Sequence, residues 1–356
     1  MIVTDELRPA QRPAVDLLLE RTRAHDGVAA LDEAALFALH AERADGTLHL
    51  LLSDPSSDSP VSPGSPVSPD SPGSSDSSDS PRVLAYASVL RDGTAQGAVE
   101  PGARRRGLGS QLLDAVLERR PDAGIWAHGA LDASVAFLRE RGLEPVRELL
   151  TMRRVLGQGA DAAAAIPARE PRDSAIELDA FDPARDADAW VRVNARAFAD
   201  HPEQGRLTRA DLDERMAQSW FRAEDLHVAR RGDELLGFVW VKREEAEGPE
   251  GTSGSQGASD AEIYAVGTDP EAAGQGVAGA LLSRALRVLA VDGVGAATLY
   301  VEGDNTAALG LYEHLGFDVS GRDLQFRRAR EVGSSGPAEA SDSAAPSSAP
   351  SDATNA

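Results

Sequence analysis

The sequence predicts a protein of two tandem α+β units, and three observations carry that expectation. The chain has 356 residues, more than one ordinary core holds. Short stretches with the two-residue period of strands are interspersed with longer stretches of helical period. The plan also occurs twice. Pro101 to Gly107 and Pro270 to Gly276 span the same distance, and each opens a helix followed by a strand and a second helix. Each second helix ends in a Gly-hydrophobic step, Gly142-Leu143 and Gly316-Phe317. A duplicated unit is the economical explanation.

The bulk properties narrow the class. A hydrophobic content of 42% suits a soluble globular protein, and a formal charge of −22 argues against nucleic acid or an anionic membrane as partner. There is no cysteine, which removes disulfides, thiolate metal sites and a cysteine nucleophile together. No run approaches the roughly 18 apolar residues of a membrane span, and no basic-then-apolar leader opens the chain. A cytoplasmic address and a monomer are the expectations, with no metal.

Taken in order, residues 11–25 and 31–42 read as amphipathic helices, with a strand at 47–52. Residues 53–81 are Ser, Pro, Asp and Gly with two valines, a disordered insertion between two paired strands because 83–90 resumes a strand pattern. A helix runs to about residue 120, then a strand at 125–128, a helix at 132–141 and a strand at 148–156. The first unit is thus 1–156, and the Ala/Gly/Pro-rich 157–174 is the linker. The second unit, 175–330, has a strand at 175–179, helices at 187–198 and 209–220, and strands at 226–230 and 235–242. A flexible insertion at 244–260 precedes a strand at 262–266 and a helix reaching residue 291. A strand at 297–301, a helix at 306–315 and a strand at 317–326 complete the unit, and 331–356 is a disordered tail by composition.

The organising stretch is V-G-T-D-P-E-A-A-G-Q-G-V-A-G-A-L-L, residues 266–282, where a strand turns at Asp269-Pro270 and a glycine-rich segment opens a helix. Helix starts bind anions through unpaired N–H groups, so residues 274–279 are expected to cradle a pyrophosphate. The pattern R/Q-x-x-G-x-G/A at a helix start resembles the acetyl-CoA-binding motif of the GCN5-related N-acetyltransferase (GNAT) superfamily. The first half carries it in full as Arg104, Gly107 and Gly109; the second reads Ala273, Gly276 and Ala278, with alanine replacing the leading polar side chain. The downstream block V-E-G-D-N-T-A-A-L-G-L-Y-E-H-L-G-F, residues 301–317, strengthens the resemblance.

This resemblance implies that each unit is a mixed, mostly antiparallel sheet flanked by helices, and that acetyl-CoA is the cosubstrate. It further implies that the strand ending at Val301-Glu302 diverges from its neighbour to admit the pantetheine arm. The cofactor-binding residues so implied are Val266, Gly267 and Thr268 on the strand, Ala273, Gly274, Gln275, Gly276, Val277, Ala278 and Gly279 in the loop, and Asn305, Thr306, Ala307, Ala308, Leu309 and Gly310 at the second helix. In the first half they are Ala98, Val99 and Glu100, then Arg104, Arg105, Arg106, Gly107, Leu108 and Gly109. Two tandem units, the N-A-R-A-F-A-D-H-P-E-Q-G block at 194–205 and the E-I-Y-A-V-G-T-D-P strand narrow the likeness to the mycothiol synthase family. That family acetylates the cysteinyl amine of cysteinyl-glucosaminyl-inositol by direct transfer in a ternary complex.

Amine acetylation needs a base for the ammonium and benefits from an acid for the departing thiolate. Glu262, on the strand that feeds the loop, is the candidate base, against a reading as a solvated edge carboxylate. Tyr312 is the candidate acid, against a reading as a core aromatic. The resemblance also singles out Glu203, Lys242 (the sole lysine) and Tyr300 for the acceptor, with Glu33 reaching over from the first half. With Pro101 aligned on Pro270, Gly93 stands in the place of Glu262; with Gly142 on Gly316, Leu138 stands for Tyr312 and Leu131 for Asn305. Catalysis is therefore expected in the second half, the first being structural or holding acetyl-CoA without turnover. Other readings are a different acceptor, such as an aminoglycoside, a polyamine or a protein N-terminus, and a non-catalytic acetyl-CoA-binding module.

Overall fold

The computed structural model describes residues 1–41, 46–54, 82–199, 202–243 and 260–329. Apart from Ser53, Asp54 and Asp260, the two insertions and the tail expected from composition lie outside the described residues. β1 (Ile2–Thr4) precedes α1 (Gln11–Asp26) and α2 (Glu33–His40). The Asp32 carboxylate accepts the Ala35 N–H at 2.8 Å and so caps α2, which fixes the position of Glu33 one residue on. β2 (Leu48–Ser53) and β3 (Val83–Val89) pair antiparallel on either side of the Ser/Pro-rich segment. Next come β4 (Thr94–Val99), α3 (Leu108–Arg119), β5 (Gly124–Ala127), α4 (Asp132–Glu140) and β6 (Leu143–Val155).

The segment read as a linker holds α5 (Gly159–Ala165), whose Ala163 is buried against the second half's core. Then follow β7 (Ile176–Ala180), α6 (Pro183–Ala197), α7 (Pro202–Gly205), α8 (Arg209–Met216), β8 (Leu226–Arg231) and β9 (Glu234–Arg243). The chain closes with β10 (Ala261–Thr268), α9 (Val277–Val291), β11 (Ala296–Glu302), α10 (Thr306–His314) and β12 (Asp318–Arg328). Of these, β1, β4, α5 and α7 are absent from the sequence-based expectation. β4 reads T-A-Q-G-A-V, with strand formers only at its two ends, Thr94 and Val99. It is held because Gly97 lies so close to β3 that a Cβ there would come within 2.6 Å of the Tyr86 carbonyl oxygen.

The described strands join in one sheet of order β1-β2-β3-β4-β5-β12-β6-β11-β10-β9-β8-β7. Its pairs are antiparallel except β4 with β5 and β10 with β11. Each half thus has the mixed, mostly antiparallel sheet flanked by helices that the sequence led us to expect. The last strand of each half, however, lies against the other half: β12 pairs with β5, and β6 pairs with β11. Units read along the chain are therefore not separable units of the sheet. One core cluster holds Met152, Leu156, Ala163 and Ile166 together with Leu281, Leu286 and Phe317. Another holds Leu324 and Phe326 together with Leu113, Val116 and Leu143.

A chain starting at residue 175 lacks β6 and four buried apolar side chains of its core. It is expected to lose the cooperative thermal transition that a chain starting at residue 141 retains, as followed by circular dichroism; equal transitions would show that β6 is dispensable to that core.

Candidate active site

The site begins where two parallel strands part. β10 and β11 pair only at Ala261 with Ala297 and Glu262 with Thr298. Beyond that point β10 stays with β9 while β11 stays with β6, so a wedge opens between them. Backbone groups on the facing edges lose their ladder partners there, and an extended amide-bearing ligand can take them up. A register shift between Ile263 and Ala265 adds a bulge at Tyr264. β4 and β5 open a second wedge in the same way, pairing only at Thr94 with Gly124 and Ala95 with Ile125.

At the wide end of the β10–β11 wedge, the chain makes a 3-10 turn at Pro270–Ala272 and enters α9. Val266, Gly267 and Thr268 form the end of β10, and residues 273–276 form the loop. Gly274 (φ 74°) and Gly276 (φ 81°) are both left-handed, where glycine alone is at ease. Gly276 is the N-cap and offers no side chain, so the first N–H groups of α9 have no side-chain cap. Such an end suits a phosphate. The first half repeats the geometry, with a turn at Pro101–Ala103, a left-handed Arg105 (φ 63°) in the place of Gly274, and Gly107 (φ 83°) as an uncapped N-cap of α3.

The leading polar residue of the motif has another task here. The Arg104 guanidinium donates two hydrogen bonds to Asp26, at 2.8 and 2.6 Å, and its Nε donates to the Val99 carbonyl at 3.1 Å. Those bonds hold the Asp26 carboxyl below its usual range, the Arg104 hydrogen bond being the largest cause. They tie the end of α1 to the loop. In the second half the tie exists with its charges reversed: Arg196 of α6 reaches Asp269 at 3.1 Å and Glu271 at 2.8 Å. Alanine at 273 thus leaves the loop anchored. Glu100 is buried and pairs with Arg21 at 3.0 Å, whereas Arg105 and Arg106 are exposed.

On the face of the sheet under α6 and α8 the acceptor candidates come together. Ala261 and Ile263 enter the core beneath α9, so the intervening Glu262 points to the other face. Lys242 is its cross-strand neighbour on β9, and its Nζ lies 5.4 Å from the centroid of the Trp220 ring. Glu33, from the first half, comes within 3.9 Å of that Nζ. Tyr300, 54% exposed, follows Thr298 on the same side of β11. Glu203 lies on α7, and its side chain falls outside the described residues.

Asn305 caps α10, its side chain accepting the Ala308 N–H at 3.1 Å, which places Thr306 to Gly310 in the first turns of that helix. Tyr312 faces the α9–α10 core against Phe317, and burial pushes its phenol up to about 12. Glu262 and Tyr312 therefore lie on opposite faces of the sheet, with the wedge between them.

A hydrogen-bonded chain that sequence reasoning missed supports Glu33. The Asp32 N–H donates to Gln96 Oε1 at 2.7 Å, His128 Nε2 meets the same oxygen at 3.0 Å, and His128 Nδ1 meets Asp323 of β12 at 3.1 Å. No local pattern marks these residues, because strand exchange alone makes Asp323 a neighbour of His128. Trp220 was equally hidden. A cavity of about 810 Å³ runs along the far side of α9, lined by Arg169, Glu177, Ser283 and Arg287 among others, and holds none of the predicted catalytic residues. Among the described residues no cluster of three or more His, Asp and Glu is arranged to hold a metal. No described helix is long and apolar enough to cross a membrane.

Fold and site together define an acyltransferase. The profile of the Acetyltransferase (GNAT) family matches residues 191–317. The crystal structure of a GCN5-related N-acetyltransferase from Sphaerobacter thermophilus shares the fold, with TM-score 0.61 and 21% identity, over 91% of this chain and 94% of that one. The chain is 55% identical over 337 residues to the mycothiol acetyltransferase of Brachybacterium faecium, covering 92% of this chain and 98% of the relative. It is 39% identical to that of Clavibacter sepedonicus over 88% and 90% of the two chains. The chain belongs to the mycothiol acetyltransferase family, and it acts on a small molecule.

The shifted phenol yields a pH test. Its native pKa, about 12, lies above the ordinary value of about 10, so the protonated form favours the fold. That stability is complete below pH ~10 and is lost as pH rises towards ~12. Tyr312→Phe is expected to abolish this loss in thermal melts at pH 9 to 11.5. If the phenol is the acid, the substitution also lowers kcat at least ~10-fold; an unchanged kcat would leave Tyr312 as a packing residue.

Proposed function

We propose that this chain moves the acetyl group of acetyl-CoA to the cysteinyl amine of 1D-myo-inositol 2-(L-cysteinylamino)-2-deoxy-glucopyranoside, giving mycothiol and CoA. The observation that carries the reading is the meeting of Glu33 from the first half with Lys242 beside Glu262, on the face opposite the phosphate loop. Two substrates entering from opposite faces meet in the wedge, which suits direct transfer without an enzyme-bound acetyl group.

The residues present fit acetyl-CoA. The uncapped start of α9 offers N–H groups to a pyrophosphate, and the parted edges of β10 and β11 offer partners to the pantetheine amides. When bound, the thioester supplies an activated acetyl carbon. Glu262 takes a proton from the substrate ammonium, freeing the lone pair that forms the new C–N bond. As the C–S bond breaks, Tyr312 gives its proton to the sulfur, its raised pKa having kept that proton in place until then; the second proton, which the nitrogen sheds on becoming an amide, passes through solvent to restore the phenol, and Glu262 gives up its own proton to solvent. Lys242, Tyr300 and Glu33 offer the acceptor the directed hydrogen bonds that a polyhydroxylated molecule requires, and the family resemblance adds Glu203 to them. The first half's copy, with Gly93 and Leu138 in place of base and acid, has a phosphate loop without the chemistry.

CoA release with the cysteinyl pseudodisaccharide is the test in the full chain. Release should be at least ~10²-fold faster than with an aminoglycoside or polyamine, and Glu262→Gln should lower it at least ~10²-fold at neutral pH. Preference for another amine would overturn the acceptor, and an unaltered rate in the variant at every pH would remove Glu262 as the base.

A further inference from the structure

The segment joining the halves does more than connect them. Ser283 Oγ donates to the Pro167 carbonyl at 2.5 Å, and the Arg172 N–H donates to the Gln275 carbonyl at 2.8 Å, so residues 167–172 are pinned across the phosphate loop and the first turns of α9. A Cβ added at Gly276 would lie 3.6 Å from the Glu170 carbonyl oxygen, whereas at the equivalent Gly107 nothing stands within 4 Å. Among the described residues only the second half's loop is roofed in this way. Within the roof, Arg169 lies along the first turn: its Cδ is 3.3 Å and its Nη1 3.7 Å from a Cβ placed on Gly279.

This is a poor place for a cation. The start of a helix carries about half a positive charge, and a guanidinium set against it is repelled. Among the described residues Arg169 makes no ion pair, and its Nε is buried without a hydrogen-bond partner. Most arginines near the site are matched, Arg104 to Asp26 and Arg196 to Asp269 and Glu271. An anion between the guanidinium and the helix start removes the repulsion and satisfies both.

We infer that Arg169 is the cationic clamp on the cofactor's pyrophosphate, supplied to the catalytic loop by the interdomain segment. The inference rests on the reading that acetyl-CoA lies in the 273–279 loop. The strand exchange then gains a role, because the segment leaving β6 is delivered directly onto α9.

Arg169→Ala and Arg169→Lys in the full chain, titrated with CoA by calorimetry, test this. The alanine variant should bind CoA at least ~10-fold more weakly, with a shallower salt dependence, while its Tm without CoA is unchanged or higher. The lysine variant should recover much of the affinity, and KM for the amine should not move. A residue that only props up the roof would instead lower Tm and leave the salt dependence alone. Hydrogen exchange on wild type separates the two claims. If CoA fails to protect amides 274–279, the loop assignment itself falls. If those amides are protected and Arg169→Ala binds CoA as tightly as wild type, the clamp alone is overturned.

Discussion

Strands β6 and β12 run antiparallel through the middle of the sheet, from Leu143 opposite Arg328 to Arg153 opposite Asp318, and each belongs by sequence to the half it does not adjoin. Everything that makes the site composite follows from this exchange. β12 brings Asp323 to His128, and through Gln96 and Asp32 that contact supports the start of α2, where Glu33 projects towards Lys242 of the other half. β6 lines β11 and so fixes the strand that must part from β10. Its exit then lays α5 and the following residues over α9.

The two wedges show how duplication is specialised by a handful of side chains. Both halves keep the 3-10 turn, the left-handed residue and the uncapped helix start. Both tie the loop to a preceding helix through ion pairs, one with arginine on the loop and the other with arginine on the helix. The backbone geometry thus survives the loss of either sequence signature. In the first half, His128 and Gln96 bridge the wedge at 3.0 Å, while the second half keeps a carboxylate at its base and a buried phenol across it.

Much of this was legible beforehand because it is local. Glycines at 107 and 276, the turn prolines, and the run of Glu262 into the loop report directly on backbone conformation. The repeat sets Gly93 and Leu138 of the first copy where the second carries Glu262 and Tyr312. What was hidden is non-local or compositionally bland. β4 has strand formers only at its ends and has a close approach at Gly97; α5 sits in an alanine-rich stretch that reads as a linker; the β6–β12 exchange leaves no periodic trace. For the same reason Arg104 reads as a cofactor ligand in sequence, because Asp26 is 78 residues away and meets it only in the fold.

The central claim is that turnover belongs to the wedge of the second half. Gly279 and Ser110 occupy equivalent places in the first turns of α9 and α3. Glutamate at either sets a carboxylate in the first turn, where negative charge is favoured; at Gly279 its Cβ meets Arg169 Cδ at 3.3 Å and Leu311 Cδ1 at 3.4 Å, so both variants are first matched to wild type in thermal melts. Acetyl transfer to the cysteinyl pseudodisaccharide should persist in Ser110→Glu and be lost in Gly279→Glu. Loss in the first with retention in the second would contradict the account.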